Sequence, residues 1–425
     1  MKNIPLRIGK LFLVVLPLIL GMIGLWGMAG EPLLDALFSC VSMYVLNYGD
    51  PPVNLFVELA RWLAPITTVS GIMLALRAIR DQARCLLRCW LGDCVVVYGP
   101  EESAERLTER LGRRGTRGGD RLLPARQYIL LGDDGTSFDL CRQIIRTHPD
   151  ADVFLQCADI QPQSVSSPRL HLFSPEETGA RLFWKEHPLY PLSAAHGHRL
   201  TVVLLGFGRL GEDLLYYGLL DNIFQPDQHI EYHIFGGDGR FAAVHTQLDR
   251  LGDPVIFHEE PWWESLDLLR RSHLTLLLPQ EAQAAKAQDL LLALPEQNLV
   301  IFTDGSPAAD LLAQEGALKV FPWLDRALDP DLILRETLLL QAKQINLRYA
   351  HIYNNVEETP AARGAEWAAL DAFTRYSNIS CADYHDIRLN MMAALGWPAD
   401  PAQLSTDQME LLAERNTSAG AGTTT

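Results

Sequence analysis

The sequence predicts a membrane α-helical hairpin with a re-entrant loop, followed by α/β doubly wound Rossmann-like lobes and a small all-α C-terminal module. Two apolar runs near the N-terminus predict the hairpin, because each is long enough to cross a bilayer. From Cys94 onward, short apolar runs alternate with helical stretches, which is typical of parallel sheets. Beyond Pro330 the strand-like runs stop. We expect a two-span membrane domain over residues 1–92, followed by two lobes over 93–198 and 199–330. A helical module over 331–414 and a disordered tail, 415–425, complete the chain.

Composition limits the function classes. The formal net charge of the 425-residue chain is -16, which argues against a nucleic-acid partner, since such a partner calls for a basic face. The seven cysteines show no disulfide-framework spacing.

The first apolar run, residues 11–30, contains no charged residue. A cleaved signal peptide is the alternative, because Gly27-Met28-Ala29 resembles a cleavage site. The second run, residues 62–76, lies between Arg61 and Arg77 and follows the first closely, which favours two membrane spans.

Basic residues predict the orientation. No lysine or arginine occurs within residues 11–60, whereas several flank the two runs: Lys2, Arg7, Lys10, Arg77, Arg80, Arg84 and Arg88. By the positive-inside rule, we expect both termini to be cytoplasmic. The chain is then a multi-pass protein of the cell inner membrane, in contact with lipid. Acidic side chains of the connecting segment then lie outside, where they either concentrate cations or are simply solvated.

The segment between the runs, EPLLDALFSCVSMYVLNYGDPPVNL, reads as a short helix that returns to the side it came from. Together with ARWLAPITTVSG it resembles the pore helix, filter and inner helix of two-span potassium channels, whose filter pattern is TVGYGD. The resemblance implies a homotetramer that conducts potassium or another monovalent cation, with Gly71 as the gating hinge. It assigns the filter to Val45, Leu46, Asn47, Tyr48, Gly49 and Asp50. Val45 departs from the family's threonine and Asn47 from its glycine.

Residues 93–198 predict a degenerate lobe with strands at 94–98, 127–131, 152–155 and 170–173. Its first turn, Gly99-Pro100-Glu101-Glu102, lacks the glycines that let a backbone approach a pyrophosphate, and its carboxylates disfavour anions. Residues 113–120, RRGTRGGD, read as a flexible basic loop.

The strongest cytoplasmic motif is TVVLLGFGRLGEDLL, residues 201–215. A G-x-G-x-x-G here follows an apolar strand and opens an amphipathic helix, which is the context that the dinucleotide-binding motif requires. Gly206 permits the tight turn, Gly208 the close backbone approach, and Gly211 the packing of helix on strand. The predicted cofactor-binding residues are Gly206, Phe207, Gly208, Arg209, Leu210, Gly211 and Asp238.

Asp238 is the candidate ribose-binding acid, although it follows the second strand two residues late, after Gly236 and Gly237. NAD(H) or another nucleotide is therefore the expected ligand. The two lobes resemble the nucleotide-binding domains that regulate potassium conductance and transport. That resemblance implies a cytoplasmic ring that pulls on the inner helices.

The sequence offers neither a catalytic set nor metal-ligand spacing, and we expect no enzymatic activity. Three histidines, His233, His245 and His258, fall on separate predicted elements and read as structural or exposed side chains.

After Pro330 we expect a helix from 331 towards 353 and one or two helices over 366–395. LRYAHIYNN and the following WAALDAFTRYSNISCADYHDIRLNMMAALGW resemble the helical module that precedes a bacterial ryanodine-receptor-type repeat, here cut short near Arg415. The resemblance implies ligand sensing and assigns Arg375, Ser377, Asn378 and His385 to it. The alternative is a helical core that these polar groups cap and solvate.

The hypothesis that combines these segments is a ligand-gated, potassium-like cation channel subunit gated by nucleotide binding to the cytoplasmic lobes. Two alternatives remain open: a membrane-anchored nucleotide-sensing effector in defence or stress that does not select ions, and a membrane-tethered dehydrogenase.

Overall fold

The computed structural model describes residues 15–412, except 48–53, 92–93, 120–121, 133–134, 159, 166, 225–227, 238–239, 246–252, 305–318 and 399. The predicted filter residues Tyr48, Gly49 and Asp50, the candidate Asp238 and the tail lie outside the described residues. The chain forms two compact units, Met1–Leu91 and Gly92–Thr425.

The described residues of the first unit form three helices: α1, Val15–Met28; α2, Leu33–Met43; and α3, Leu55–Leu91. Within the described residues, one stretch, Leu55–Met73 of α3, is long and apolar enough to cross a membrane, and α1 and α2 are shorter apolar helices. The predicted two-span hairpin therefore remains an expectation. α3 includes Pro65 within the predicted span and continues beyond residue 76, the end of that span, to Leu91.

The three helices of this unit pack through small residues. A Cβ on Gly24 would lie 2.6 Å from Val57 Cγ2, so α1 approaches α3 at backbone distance. Asn54 fixes the contact, because its Nδ2 donates to Gly24 O at 2.9 Å and its Oδ1 accepts from Val57 N at 3.0 Å.

The second unit begins with a five-stranded parallel sheet. Its strands are β1 Val95–Tyr98, β2 Gly115–Arg117, β3 Gln127–Leu130, β4 Asp152–Gln156 and β5 Leu170–Phe173, in the order β2-β1-β3-β4-β5. Helices α4, Glu101–Leu111, and α5, Gly135–Thr147, connect strands, and α6, Pro175–Glu186, and α7, Tyr190–Ala195, follow. β2 occupies part of the segment predicted as a loop, because Gly115 to Arg117 pair with the edge of β1.

A six-stranded parallel sheet follows in the order β11-β10-β9-β6-β7-β8. Its strands are β6 Arg199–Leu205, β7 His229–Phe235, β8 Val255–His258, β9 Leu274–Leu277, β10 Leu299–Phe302 and β11 Lys319–Phe321. The described helices between them are α8 Arg209–Asp221, α9 Arg240–Val244, α10 Leu266–Arg271 and α11 Gln283–Ala293. In chain order this is 3-2-1-4-5-6, the dinucleotide-binding arrangement, so the predicted doubly wound lobe is confirmed.

The C-terminal helices are α12 Trp323–Ala327, α13 Pro330–Leu334, α14 Leu340–Asn354, α15 Pro360–Ala369 and α16 Ala372–Ala394. The helix expected from 331 to 353 is broken, because Glu336 adopts a left-handed conformation with φ 48°. Side-chain caps start the last two helices: Thr359 accepts from Ala362 N and Asp371 from Thr374 N.

The spacing of the cysteines did not predict a disulfide bond, but the structure contains one. Cys94 is disulfide-bonded, whereas Cys40, Cys141, Cys157 and Cys381 are free.

Candidate functional site

The glycine turn lies at the carboxyl edge of the second sheet, between β6 and α8. The strand order reverses between β6 and β9, which makes this edge the topological switch point where ligands of such sheets bind. The fold therefore positions the turn where the motif predicts it.

Gly206 begins the turn in a conformation that favours glycine, with φ 93°. A Cβ at this position would lie 3.0 Å from Gln280 Nε2, which donates at 2.8 Å to Leu205 O. The first glycine therefore serves both the tight turn and the close approach of Gln280.

Gly208 ends the turn and precedes the thirteen residues of α8. No heavy atom lies within 4 Å of a Cβ built on it, so the backbone faces open space among the described residues. The amino end of α8 carries unpaired N–H groups and the positive end of the helix dipole, which together stabilise a phosphate.

Gly211 packs the helix on the sheet, as predicted. A Cβ there would lie 2.9 Å from Phe207 Cδ2 and 3.0 Å from Leu278 Cδ1. The side chains of Phe207 and Leu210 point away from the open space: the Phe207 ring contacts the rings of Phe241 and Phe257, and Leu210 is buried. Of the predicted cofactor-binding residues, these two contribute packing.

Three cationic side chains belong to the turn or contact residues that flank it. Arg209 Nε lies 3.8 Å from Asp213 Oδ2, Arg240 is 3.6 Å from Glu212, and Lys286 Nζ donates to Gln280 Oε1 at 2.6 Å. The sequence motif identified Arg209 but missed Gln280 and Lys286. Their position just after β9, the strand across the switch point, was the signal that could have found them.

A buried polar cluster lies behind α8, where α6 and α16 pack on it. Tyr217 donates to Glu177 at 2.9 Å, and Arg181 donates two hydrogen bonds to Asp383, at 2.7 and 3.0 Å. Burial, together with the nearby Glu177 carboxylate, raises the pKa of Asp213 to about 8. The helix that starts at the glycine turn is thus connected electrostatically to the C-terminal helices.

The described residues of the predicted filter form a turn after α2. Leu46 takes the left-handed conformation, with φ 58°, and Val45 and Leu46 are 72% and 70% exposed. Thr68 of α3 donates to Tyr44 O at 3.0 Å, which ties the end of α2 to α3. Gly71 lies within an unbroken part of α3, with no heavy atom within 4 Å of a built Cβ.

The predicted sensor residues share helix α16 and do not form one site. Arg375 is buried and bonds to carbonyl groups, Asn378 donates to Thr374 O within its own helix, and His385 Nδ1 lies 2.6 Å from Arg388. Ser377 is half-buried. Burial and the adjacent Arg388 lower the pKa of His385.

Two of the histidines that the sequence placed on separate elements are neighbours. His233 Nδ1 lies 2.9 Å from His258 Nε2, because β7 and β8 are paired. His258 Nδ1 also lies 2.8 Å from Glu260. Among the described residues, no group of three potential ligands is placed to hold a metal ion.

No family model and no curated protein matches the sequence. A solved structure of L-tryptophan dehydrogenase from Nostoc punctiforme matches 78% of this chain and 88% of its own, with 11% identity and a TM-score of 0.27. NAD-dependent formate dehydrogenase from Staphylococcus aureus, in complex with NAD, matches 62% and 97%, with 10% identity and a TM-score of 0.22.

Both matched proteins are dehydrogenases, so the prediction that the chain is not an enzyme is contradicted and is withdrawn. At these identities and TM-scores, the matches assign no reaction to this chain.

Proposed function

We propose that the second lobe binds a nucleotide, with NAD(H) as the first candidate, at the turn from Gly206 to Gly211. The open backbone at Gly208, in front of α8 and at the switch point, is the observation that supports this most directly. The phosphates lie against the amino end of α8, with Arg209, Arg240 and Lys286 as nearby cations.

Nucleotide binding then opens or closes a membrane pathway for potassium or another monovalent cation. Four copies of the chain form this pathway in the inner membrane, and both termini of each copy are cytoplasmic. Support comes from the short apolar α2 between two apolar helices and from the filter-like segment after it. A ligand that favours one arrangement of the lobes shifts the pathway between open and closed populations.

The nucleotide site is tested by calorimetry with NAD, NADH and ATP on the full chain. Gly208→Ala keeps an allowed backbone conformation but places a methyl group where the phosphate approaches, so we expect affinity to fall at least about tenfold. Gly119→Ala, also without heavy atoms within 4 Å of the built Cβ, is the matched control and leaves binding unchanged. Absence of binding by the wild type, or equal affinity in Gly208→Ala, contradicts the proposal.

The pathway is tested by recording currents in planar bilayers with and without nucleotide. We expect discrete steps that Tyr48→Ala or Gly49→Ala abolishes. Liposome leakage without unitary steps favours the membrane-anchored effector instead. Turnover of NADH in the same preparation, followed by its absorbance, identifies a dehydrogenase.

A further inference from the structure

A groove of about 480 Å³ lies between the first lobe and the C-terminal helices, away from the glycine turn. Its size falls in the range of roughly 300–1,000 Å³ typical of small-molecule sites. One wall is formed by residues of the first lobe, and the other by α15 with parts of α14 and α16. The first-lobe residues of the wall are Pro162, Gln163, Val165, Ser167, Pro168, Leu170, His171 and Leu172.

The floor of the groove is smooth and apolar. Ala361, Gly364, Ala365 and Ala368 follow one another at i, i+3, i+4 and i+7, so they share one face of α15, and all four are exposed. Trp367 also lines the groove and is itself buried. A flat apolar body fits against this face of α15 because the three alanines and the glycine on it carry at most a methyl group.

Arg375 holds the two walls together. Its guanidinium donates at 2.9 Å to Gln163 O of the lobe and at 2.8 Å to Leu370 O of the module, and the residue is 3% exposed. The groove is therefore a fixed part of this unit.

The charges in the groove are mainly positive, although the chain as a whole carries -16. Two cations, Lys343 and Arg375, line it against one acid, Glu336, and the His171 imidazole is also among the lining residues. Glu336 bonds to Lys343 and lies 3.2 Å from His171 Nδ1. Burial alone would raise its pKa, but His171 and Lys343 lower the pKa to about 2, so this carboxylate is ionised and is fully engaged by its partners.

We propose that this groove is a second ligand site, which binds a small organic anion with a flat apolar body. The apolar body lies on the alanine face of α15, and the anionic group accepts from another of the three N–H donors of the Lys343 ammonium, which also donates to Glu336 and stands 5.9 Å from the Trp367 ring. Positive potential in the groove selects the anion over a neutral compound of the same shape.

The test is calorimetric titration of the full chain in detergent with 2-naphthoate and, as the neutral analogue, 2-naphthalenemethanol, each corrected for partition into micelles. We expect naphthoate to bind at least about tenfold more tightly than the alcohol. Ala365→Trp fills the groove and Lys343→Met removes the cation, so each weakens naphthoate binding by at least about tenfold. Ala369→Trp, on the same helix but outside the groove and also exposed, leaves binding unchanged.

Absence of saturable naphthoate binding overturns the proposal, and so does equal affinity for the alcohol. Unchanged affinity in Ala365→Trp, with a melting curve like that of Ala369→Trp, also overturns it. These results do not depend on the glycine turn, so failure here is distinguishable from failure of the nucleotide site.

Discussion

At Gly206 the backbone conformation itself disfavours any residue that has a side chain. Its φ of 93° is strained for any residue with a Cβ, and the added atom would stand 3.0 Å from Gln280 Nε2. We expect Gly206→Ala to lower the free energy of unfolding by about 1–3 kcal/mol. Thermal melts followed by circular dichroism measure the change, and Gly208→Ala, which has no such constraint, should melt like the wild type.

Asp213 makes stability depend on pH in a defined direction. Its folded-state pKa of about 8 exceeds the value of about 3.9 for an unfolded aspartate, so the folded state holds the extra proton between these values. Stability from this group is complete below the lower value and is lost as pH rises through the higher one, by up to about 1.4 kcal/mol per pH unit.

We therefore expect Asp213→Asn, which mimics the neutral acid, to flatten the fall in melting temperature between about pH 5 and pH 8. Asp139→Asn, at an exposed carboxylate, is the matched control and should leave the slope unchanged. Equal slopes of melting temperature against pH for Asp213→Asn and the wild type would contradict the raised pKa of Asp213.

At the level of residues, the sequence predicts positions that local backbone geometry dictates. The three glycines of the turn belong to this group, because strand, turn and helix are contiguous in the chain. Gln280 reaches the same turn from about 75 residues away in sequence and is itself bonded by Lys286, and only the strand order brings them there. The same holds for His233 and His258, which meet through the pairing of β7 and β8.

At the level of elements, one buried ion pair joins α6 to α16. The side chains of Arg181 and Asp383 are 4% and 13% exposed, and their two hydrogen bonds are the charge-assisted kind. Either Arg181→Met or Asp383→Leu leaves a buried charge unpaired, and we expect each to cost about 3–5 kcal/mol.

The double variant removes both charges, so it should be more stable than the sum of the single effects implies. Thermal or denaturant unfolding of the four proteins measures the coupling. Arg348→Met at the more exposed Arg348–Glu358 pair is the control and should cost at most about 1 kcal/mol. Additive single effects would contradict a coupled pair.

Elements with strong periodicity or apolar runs are predictable from the sequence, and short or strained ones are not. β2 has three residues and lies at a sheet edge, so its sequence, Gly-Thr-Arg, shows no apolar run. The break before α14 depends on Glu336, whose left-handed backbone is held by Lys343 and His171 from other elements. No local pattern around residue 336 signals these partners.

At the level of the whole molecule, the short length of α2 and the exposed turn after it bear on how copies of the chain assemble. Eleven residues of helix span about 16 Å, roughly half of a bilayer core, and the turn after it exposes Val45 and Leu46. Irregular backbone at membrane depth persists only where protein or water surrounds it. In the proposed membrane setting, other copies of the chain are the covering protein.

This argument predicts a tetramer that depends on the exposed face of α2. Phe38, 75% exposed, lies on that face, whereas Ile19 of α1 is 43% exposed and faces lipid in the proposed arrangement. Native mass spectrometry of the detergent-extracted chain should give four times the 47.5 kDa of one subunit. Phe38→Ala removes a large aromatic contact at each interface, so we expect the tetramer to dissociate into smaller species at concentrations at least about tenfold higher than for the wild type. Ile19→Ala should leave the tetramer intact. A wild-type chain that is monomeric, or a tetramer that Ile19→Ala disrupts and Phe38→Ala does not, rules out assembly around α2 and with it the cation pathway.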